Sequence, residues 1–178
     1  MAPLPLAHLV SPVVRGRRGV GEPARTTRHS PNRSTGQDAV AVIKSELQLL
    51  LPSIQVFLDV DDLDDIGALE SYIGRSQVIL FFLSGGYFRS KNCLREVRAA
   101  LSQGKPIILV QEADEKKGGG TLEELRAECP EDLQPAIFDA DWPLVVWMRI
   151  EDFQRVSLKM IAEVMPAPFY LDCGEAFG

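Results

Sequence analysis

Five carboxylate side chains occupy seven consecutive positions of the chain, at Asp59, Asp61, Asp62, Asp64 and Asp65. They lie at and just after the end of QVFLDV (55–60), a short apolar run that is typical of a buried β-strand. Carboxylates grouped at the end of a strand can bind a hard cation through oxygen or attack a phosphoryl group as nucleophiles. Their spacing decides which of these roles the chain can support.

A calcium loop is the first interpretation of this acidic cluster. Asp59, Asp61 and Glu70 match the first, third and twelfth positions of an EF-hand loop. However, Leu63 and Asp64 stand where such a loop requires an oxygen ligand and a glycine. The spacing therefore argues against calcium, and we predict no metal site.

Phosphoryl chemistry is the second interpretation. In a phosphatase of the haloacid-dehalogenase type, Asp59 would be the nucleophile, Asp61 the acid/base, and Ser84 would end the next apolar strand. In a phosphoreceiver domain, Lys105 would join Asp59 and Ser84, but here the Lys-Pro pair precedes its strand instead of following it. A third interpretation is a solvated acidic loop whose negative charge favours the start of the following helix.

A second cluster begins at Ser84, in the run SGGYFRSKNCLREV (84–97). It contains hydroxyl, thiol and carboxylate side chains, namely Ser84, Tyr87, Ser90, Cys93 and Glu96. Cys93 is not predicted to be a thiol nucleophile, because both histidines of the chain lie within residues 1–35. Ser84 and Ser90 suit the turn and the cap of a helix, and Tyr87 suits a core or interface position.

This second cluster resembles the TIR family, the Toll/interleukin-1 receptor/resistance domains. Members of the family carry a pattern close to S-x-x-Y-x-x-S-x-W-C-x-x-E-L after their third strand. The chain has matching residues in this register, with Asn92 in place of Trp: Ser84, Tyr87, Ser90, Cys93 and Glu96. VFLDVDDLDDI resembles the family's second strand and BB loop, and KPIILV and WMRIEDFQRVSLKMI resemble later elements, so the resemblance covers about residues 36–165.

The resemblance implies a cytoplasmic signalling module in immune or stress pathways. TIR domains associate with other TIR domains, as homo-oligomers or with different partners, through surfaces that include the BB loop. The interaction loop here would comprise Asp61, Asp62, Leu63, Asp64, Asp65, Ile66 and Gly67. We predict no nucleic-acid partner and no membrane segment, because the body of the chain is acidic and lacks a run of about 20 apolar residues.

The resemblance also implies an enzymatic role for Glu96. In TIR domains that are enzymes, the glutamate at this position is catalytic in cleaving the nicotinamide–ribose bond of NAD, which is a substrate and not a tightly bound cofactor. A carboxylate near the ribose can stabilise the positive charge that develops there. Ser84, Tyr87, Ser90 and Cys93 would line the nucleotide site. A helical wheel places Glu96 about 200° from Leu94, so we predict that it faces away from the core, either in a cleft or as an ordinary exposed glutamate.

Alternating helical and strand patterns must position these residues. Apolar spacing predicts a first helix capped by Ser34 or Thr35, then strands at 55–60, 77–84, 105–110 and 143–150, each followed by a helix. The buried side of the last helix is predicted at Phe153, Val156, Met160, Ile161 and Val164. This order predicts an α/β fold, a flavodoxin-like doubly wound parallel sheet of TIR type.

The first strand of such a sheet is the element that the sequence does not show. TIR domains have an apolar strand immediately before their first helix, where this chain has TTRHSPNRST. The strand is therefore predicted to be missing or displaced: either LAHLVSPVV supplies it from far upstream, or the sequence comes from a truncated gene model. Pro12 argues against the upstream strand.

The net charge of the chain changes from positive to negative near residue 36. Residues 1–35 carry six Arg and one acid, and since the whole chain has 19 basic and 25 acidic residues, positions 36–178 keep 13 and 24. The first segment, with five prolines, is predicted to be disordered, misannotated or a transit peptide. Residues 166–178 are predicted to be a tail. Three cysteines without C-x-x-C spacing predict neither disulfides nor structural zinc.

Overall fold

The computed structural model describes residues 36–52, 54–58 and 69–165, together with the backbone of residues 6–10. Five parallel strands form one sheet, in the order β2-β1-β3-β4-β5. The strands are β1 (Leu6–Val10), β2 (Gln55–Leu58), β3 (Val78–Leu83), β4 (Ile107–Glu112) and β5 (Leu144–Trp147). The helices are α1 (Gln37–Leu50), α2 (Leu69–Arg75), α3 (Lys91–Ser102), α4 (Leu122–Glu128), α5 (Gln134–Phe138) and α6 (Glu151–Val164). The predicted α/β class with a parallel sheet is confirmed.

Strand β1 lies in the centre of the sheet and comes from the segment predicted to be disordered. Leu6 pairs with Gln55 of β2, and Ala7 pairs with Val78 of β3, both in parallel register. The first strand is thus displaced upstream and not missing, and the prediction of disorder is wrong at these five residues. The strand ends at Val10, before Pro12, so the proline does not interrupt its hydrogen bonds.

Helices cover both faces of the sheet. Helices α1 and α6 pack on one face, around residues such as Leu80, Val110 and Trp147. Helices α2 to α5 pack on the other face, around Phe81 and Leu109. All six residues of β3 and all six of β4 are buried, as the apolar sequence of β3 predicted for a strand covered on both sides.

The helix ends follow their local sequences. Ser90 caps α3 as predicted, since its hydroxyl accepts a hydrogen bond from the backbone N–H of Cys93 at 3.4 Å. Thr121 and Glu124 form a reciprocal capping box at the start of α4. Helix α1 differs from the prediction, because its N-cap is Gly36 and not Ser34 or Thr35, which lie outside the described residues.

The buried side of α6 also differs from the prediction. Ser157, Leu158, Ile161 and Ala162 face the core, whereas four of the five apolar residues predicted to be buried are exposed, namely Phe153, Val156, Met160 and Val164. Only Ile161 is buried as predicted. The apolar arc of this helix is wider than the area that the sheet and α1 cover, so the largest side chains alone did not identify the side in contact with the core.

None of the helices in the described part of the chain has the length and apolar character that crossing a membrane requires.

Candidate functional site

The carboxyl ends of β3 and β4 meet at one edge of the sheet, where ligands of doubly wound folds bind. Two loops leave this edge, residues 84–90 after β3 and residues 113–121 after β4. The loop after β2 contains the acidic cluster, Asp59 included, and the predicted interaction loop from Asp61 to Gly67. It lies outside the described residues, so those predictions remain predictions.

The loop after β3 is a tight turn that leads into α3. Gly86 has φ of 86°, a left-handed conformation that favours glycine, and the N–H of Tyr87 donates to the carbonyl of Ser84 at 2.9 Å. Ser84 is buried next to the start of α1, because a Cβ on Gly36 would lie 3.7 Å from its hydroxyl oxygen. The turn therefore brings the start of α1 and the start of α3 to the same edge of the sheet.

Tyr87 and Cys93 belong to the hydrophobic core beneath this loop. Tyr87 is fully buried, and its ring contacts Phe88 edge-on with centroids 5.0 Å apart. Cys93 is 1% exposed in the same cluster. The core position considered for Tyr87 is thus the observed one, and Ser90 is the helix cap. Neither the tyrosine nor the cysteine presents a surface to a nucleotide in this conformation.

Glu96 is buried, with only 1% of its surface exposed, which corrects the prediction that it faces away from the core. At about 100° per residue, Glu96 falls within one arc of about 100° on α3 together with Cys93, Val97 and Ala100, which are all buried. The prediction took its direction from Leu94 and set Glu96 apart from Val97 and Leu101. Leu94 and Leu101 are only partly buried, whereas Val97 is buried beside Glu96.

A charged network joins three elements at the same edge of the sheet, and sequence reasoning missed it. Arg149, just after β5, pairs with Glu112 at the end of β4 and with Asp38 in the first turn of α1, at 2.6 Å and 2.9 Å. The side chain of Glu112 is fully buried and also accepts from the N–H of Asp114. Arg149 is 37 positions from Glu112 and 111 positions from Asp38 in the chain, so no local sequence motif predicts the network.

Arg149 also changes the ionisation of its partners. Burial raises the pKa of Asp38, but the hydrogen bond and the charge of Arg149 lower it more, so the pKa lies below its usual value. Burial lowers the pKa of Arg149, but its two carboxylate partners together raise it more, so the pKa lies above its usual value. Both changes favour the ionised pair. The network therefore fixes the start of α1 against the ends of β4 and β5.

A shallow cleft of about 440 Å³ lies between the two loops. Its lining includes Gly85, Arg89, Gly119, Gly120, Glu124 and Glu128. Glu128 accepts hydrogen bonds from the N–H of Gly86 and the guanidinium of Arg89, both at 2.7 Å, and so links α4 to the loop after β3. Glu96 is not among the described lining residues, so the structure does not place the predicted catalytic carboxylate in this cleft.

Gly119 lies where the loop after β4 approaches its own strand most closely. A Cβ at this position would overlap the carbonyl oxygen of Glu112 and lie 2.8 Å from the backbone nitrogen of Asp114. We expect Gly119→Ala to lower the free energy of unfolding by about 2–3 kcal/mol, because backbone atoms must move to admit the methyl group. Urea denaturation measures the change.

The matched control is Gly74→Ala in α2. Its Cβ would meet only the flexible end of Gln103, at 3.1 Å, and alanine favours a helix by roughly 0.5–1 kcal/mol over glycine. We therefore expect the control to be neutral or stabilising. Equal changes in the free energy of unfolding for the two substitutions would show that the close contact at Gly119 does not make its substitution more destabilising.

The structure separates the residues of the phosphoreceiver alternative. The ammonium of Lys105 donates to the carbonyls of Gly74 and Ser76, which precede β3, at 2.6 Å and 2.8 Å. Ser84 follows the opposite end of the same strand. Lys105 and Ser84 therefore lie at opposite edges of the sheet, and Lys105 cannot contact a phosphoryl group at the carboxyl edge.

Thiol and metal chemistry have little support among the described residues. Burial, with a contribution from Asp132, raises the pKa of the Cys129 thiol to about 11, which keeps it protonated at neutral pH. Within residues 36–52, 54–58 and 69–165, no three His, Cys, Asp or Glu side chains are grouped as metal ligands would be.

No protein-family model matches the chain, and no curated protein shows significant sequence similarity to it.

Proposed function

We propose that the chain is a TIR-type signalling module that self-associates and cleaves the nicotinamide–ribose bond of NAD through Glu96. The observation that carries the proposal is the position of Glu96, a carboxylate only 1% exposed on α3, directly behind the loop in the family register. Glutamate is almost never this buried unless it is paired with another group. The sheet order β2-β1-β3-β4-β5 is that of flavodoxin-like folds and supports the same family.

Burial gives the carboxylate its proposed chemical use. A negative charge held away from water interacts strongly with the positive charge that develops on ribose as nicotinamide leaves. The same burial keeps NAD from the carboxylate in the isolated chain. The site must therefore open before it reacts, and self-association is the event proposed to open it.

The test is nicotinamide release from NAD by the purified full chain over a range of protein concentrations. We expect release that rises more steeply than protein concentration and that is absent from Glu96→Ala. Glu123→Ala, an exposed glutamate in the first turn of α4, is the matched control and should behave as the wild type. No release from any of the three proteins would overturn the enzymatic half of the proposal.

The alternative of aspartyl-phosphate chemistry at Asp59 gives a different result in the same experiment. It predicts Mg²⁺-dependent release of phosphate from a phosphorylated substrate, loss of that activity in Asp59→Asn, and no loss of NAD.

A further inference from the structure

Glu96 lies on the side of α3 between the sheet and α2. Arg95 and Gln103 both contact Glu70 of α2, so their side of α3 is turned toward that helix. Cys93 is buried in one core cluster with residues of β3, so its side is turned toward the sheet. At about 100° per residue, Glu96 falls between these directions, about 60° from Cys93 and about 20° from Gln103. In the described part of the chain, α2 is therefore the helix that flanks the buried carboxylate.

Helix α2 has little apolar packing of its own. It has seven residues, of which Leu69 and Ile73 are buried. On its outer side, the ring of Tyr72 stacks on Phe57 of β2 with the centroids 4.5 Å apart. An isolated helix shorter than about 12–15 residues is marginal in water, so contacts with neighbouring elements keep α2 in place. Segments with few buried apolar contacts open locally more readily than core strands do.

Polar contacts hold both ends of α2, and the two sets of contacts differ. Near its C-terminus, the ammonium of Lys105 donates to the carbonyls of Gly74 and Ser76 at 2.6 Å and 2.8 Å, and Ser76 is buried. Near its start, Glu70 accepts two hydrogen bonds of 2.6 Å from the guanidinium of Arg95. The side chains of this ion pair are 47% and 39% exposed, and exposed pairs stabilise a fold little. The start of α2 is therefore the end that separates more easily from α3.

We propose that α2 is a lid over Glu96, with a hinge at residues 74–76 and the Glu70–Arg95 ion pair as its latch. When Glu70 separates from Arg95, the start of α2 moves away from α3 and uncovers the side of Glu96 that the sheet does not cover. The inference rests on the proposed function, which requires Glu96 to become accessible before it reacts, and it identifies the element that moves. Self-association acts on the site by releasing this latch.

Amide hydrogen exchange of the full chain tests whether α2 opens separately from the rest of the fold. The reporters are the amides of Ile73 and Gly74, which donate to the first turn of the helix and lose protection once the short helix leaves α3. We expect Glu70→Gln and Arg95→Gln each to raise their exchange rate about two- to fivefold, the factor that corresponds to an exposed ion pair. The amides of β3 should exchange as in the wild type. Glu70→Arg combined with Arg95→Glu should restore most of the protection, because the pair forms again with its signs reversed.

Asp132→Asn is the matched control. Asp132 pairs with Arg98, on a different side of α3, at 2.6 Å, and the two side chains are 59% and 53% exposed. The variant loses an exposed ion pair of the same helix without a change at α2. Exchange of the α2 amides should therefore stay as in the wild type.

Thiol labelling measures whether this opening exposes position 96. In Glu96→Cys, the introduced thiol should react with iodoacetamide only while α2 is open. Adding Glu70→Gln should raise its labelling rate by the same factor of about two to five. Cys129, which is buried after α4, should label at an unchanged rate, and peptide mass spectrometry assigns the label to each cysteine.

Each outcome decides the inference. Faster exchange in α2 together with faster labelling at position 96 supports the lid. Exchange that Glu70→Gln and Arg95→Gln leave unchanged overturns it, and so does faster exchange without faster labelling, because α2 then opens without uncovering this position. Nicotinamide release measured on the wild type and Glu70→Gln separates the two proposals. A lid that opens in a chain that never cleaves NAD keeps the inference and rejects the enzyme, whereas cleavage without any opening of α2 does the reverse.

Discussion

Arg149→Met should lower the free energy of unfolding by about 3–5 kcal/mol, the range found when one partner of a buried ion pair is removed. The side chain of Glu112 has no exposed surface, and Arg149 is only 17% exposed. Without the guanidinium, the carboxylate of Glu112 loses the opposite charge that compensates its removal from water. Urea denaturation at neutral pH measures the loss.

Arg126→Met is the matched control for this prediction. Arg126 holds Asp139 with two hydrogen bonds of 2.6 Å and 2.8 Å, but the two side chains are 40% and 50% exposed. Exposed pairs contribute little to stability, so we expect a much smaller loss than in Arg149→Met. Adding Glu112→Gln to Arg149→Met should recover part of the stability. Equal losses in the two single variants would contradict a special role for burial.

The dependence of stability on acid pH gives a second measurement, which compares the wild type with Arg149→Met. Because Asp38 has a lowered pKa in the folded chain, its contribution to stability is present above its ordinary pKa of 3.8 and is lost as the pH falls through the folded value. Arg149→Met removes the largest cause that lowers this pKa. The variant should therefore lose less additional stability than the wild type when the pH falls from about 5 to about 2.

The sequence predicts the regular elements from residue 36 onwards well, because their signals are local. The six consecutive apolar residues of β3 and the cap at Ser90 can be recognised within a few positions. Strand β1 could not be assigned in this way. Five residues far upstream of α1 enter the centre of the sheet only because β2 and β3 both offer them backbone partners.

The errors at α3 and α6 have a common cause. In both helices the sequence analysis followed the largest apolar side chains, whereas the residues against the core include Ala100 in α3 and Ser157 and Ala162 in α6. Small residues allow close approach of a helix to a sheet, and larger ones beside them can remain exposed. The hydrophobic pattern shows that an apolar side exists, but the neighbouring elements decide which part of it is covered.

In the candidate site, too, the features with a local sequence signal were predictable and those that depend on distant elements were not. The residue types between Ser84 and Glu96 were predictable because they lie in one continuous run. The partnership of Asp38, Glu112 and Arg149 was not predictable, because it depends on the meeting of α1, β4 and β5 at one edge. Burial of Glu96 was missed for the same reason, since it depends on how α3 lies against the sheet.

Glu96→Gln should reduce nicotinamide release by about 10²–10⁴-fold, the usual range for loss of a positioned ionisable group. It should change the free energy of unfolding by less than about 1.5 kcal/mol, because the amide has nearly the same shape and volume as the carboxylate. Product analysis and urea denaturation of the same protein give both values. A loss of several kcal/mol would instead identify Glu96 as a structural partner in the core.

Protein concentration distinguishes the chemical step from assembly. If self-association opens the site, release per wild-type molecule should rise with protein concentration and level off once assembly is complete. Glu96→Gln should show no release at any concentration, because it assembles as the wild type does and only the reacting carboxylate is absent. If Glu96→Gln regains release at high concentration, Glu96 acts through assembly and is not the group that faces the ribose.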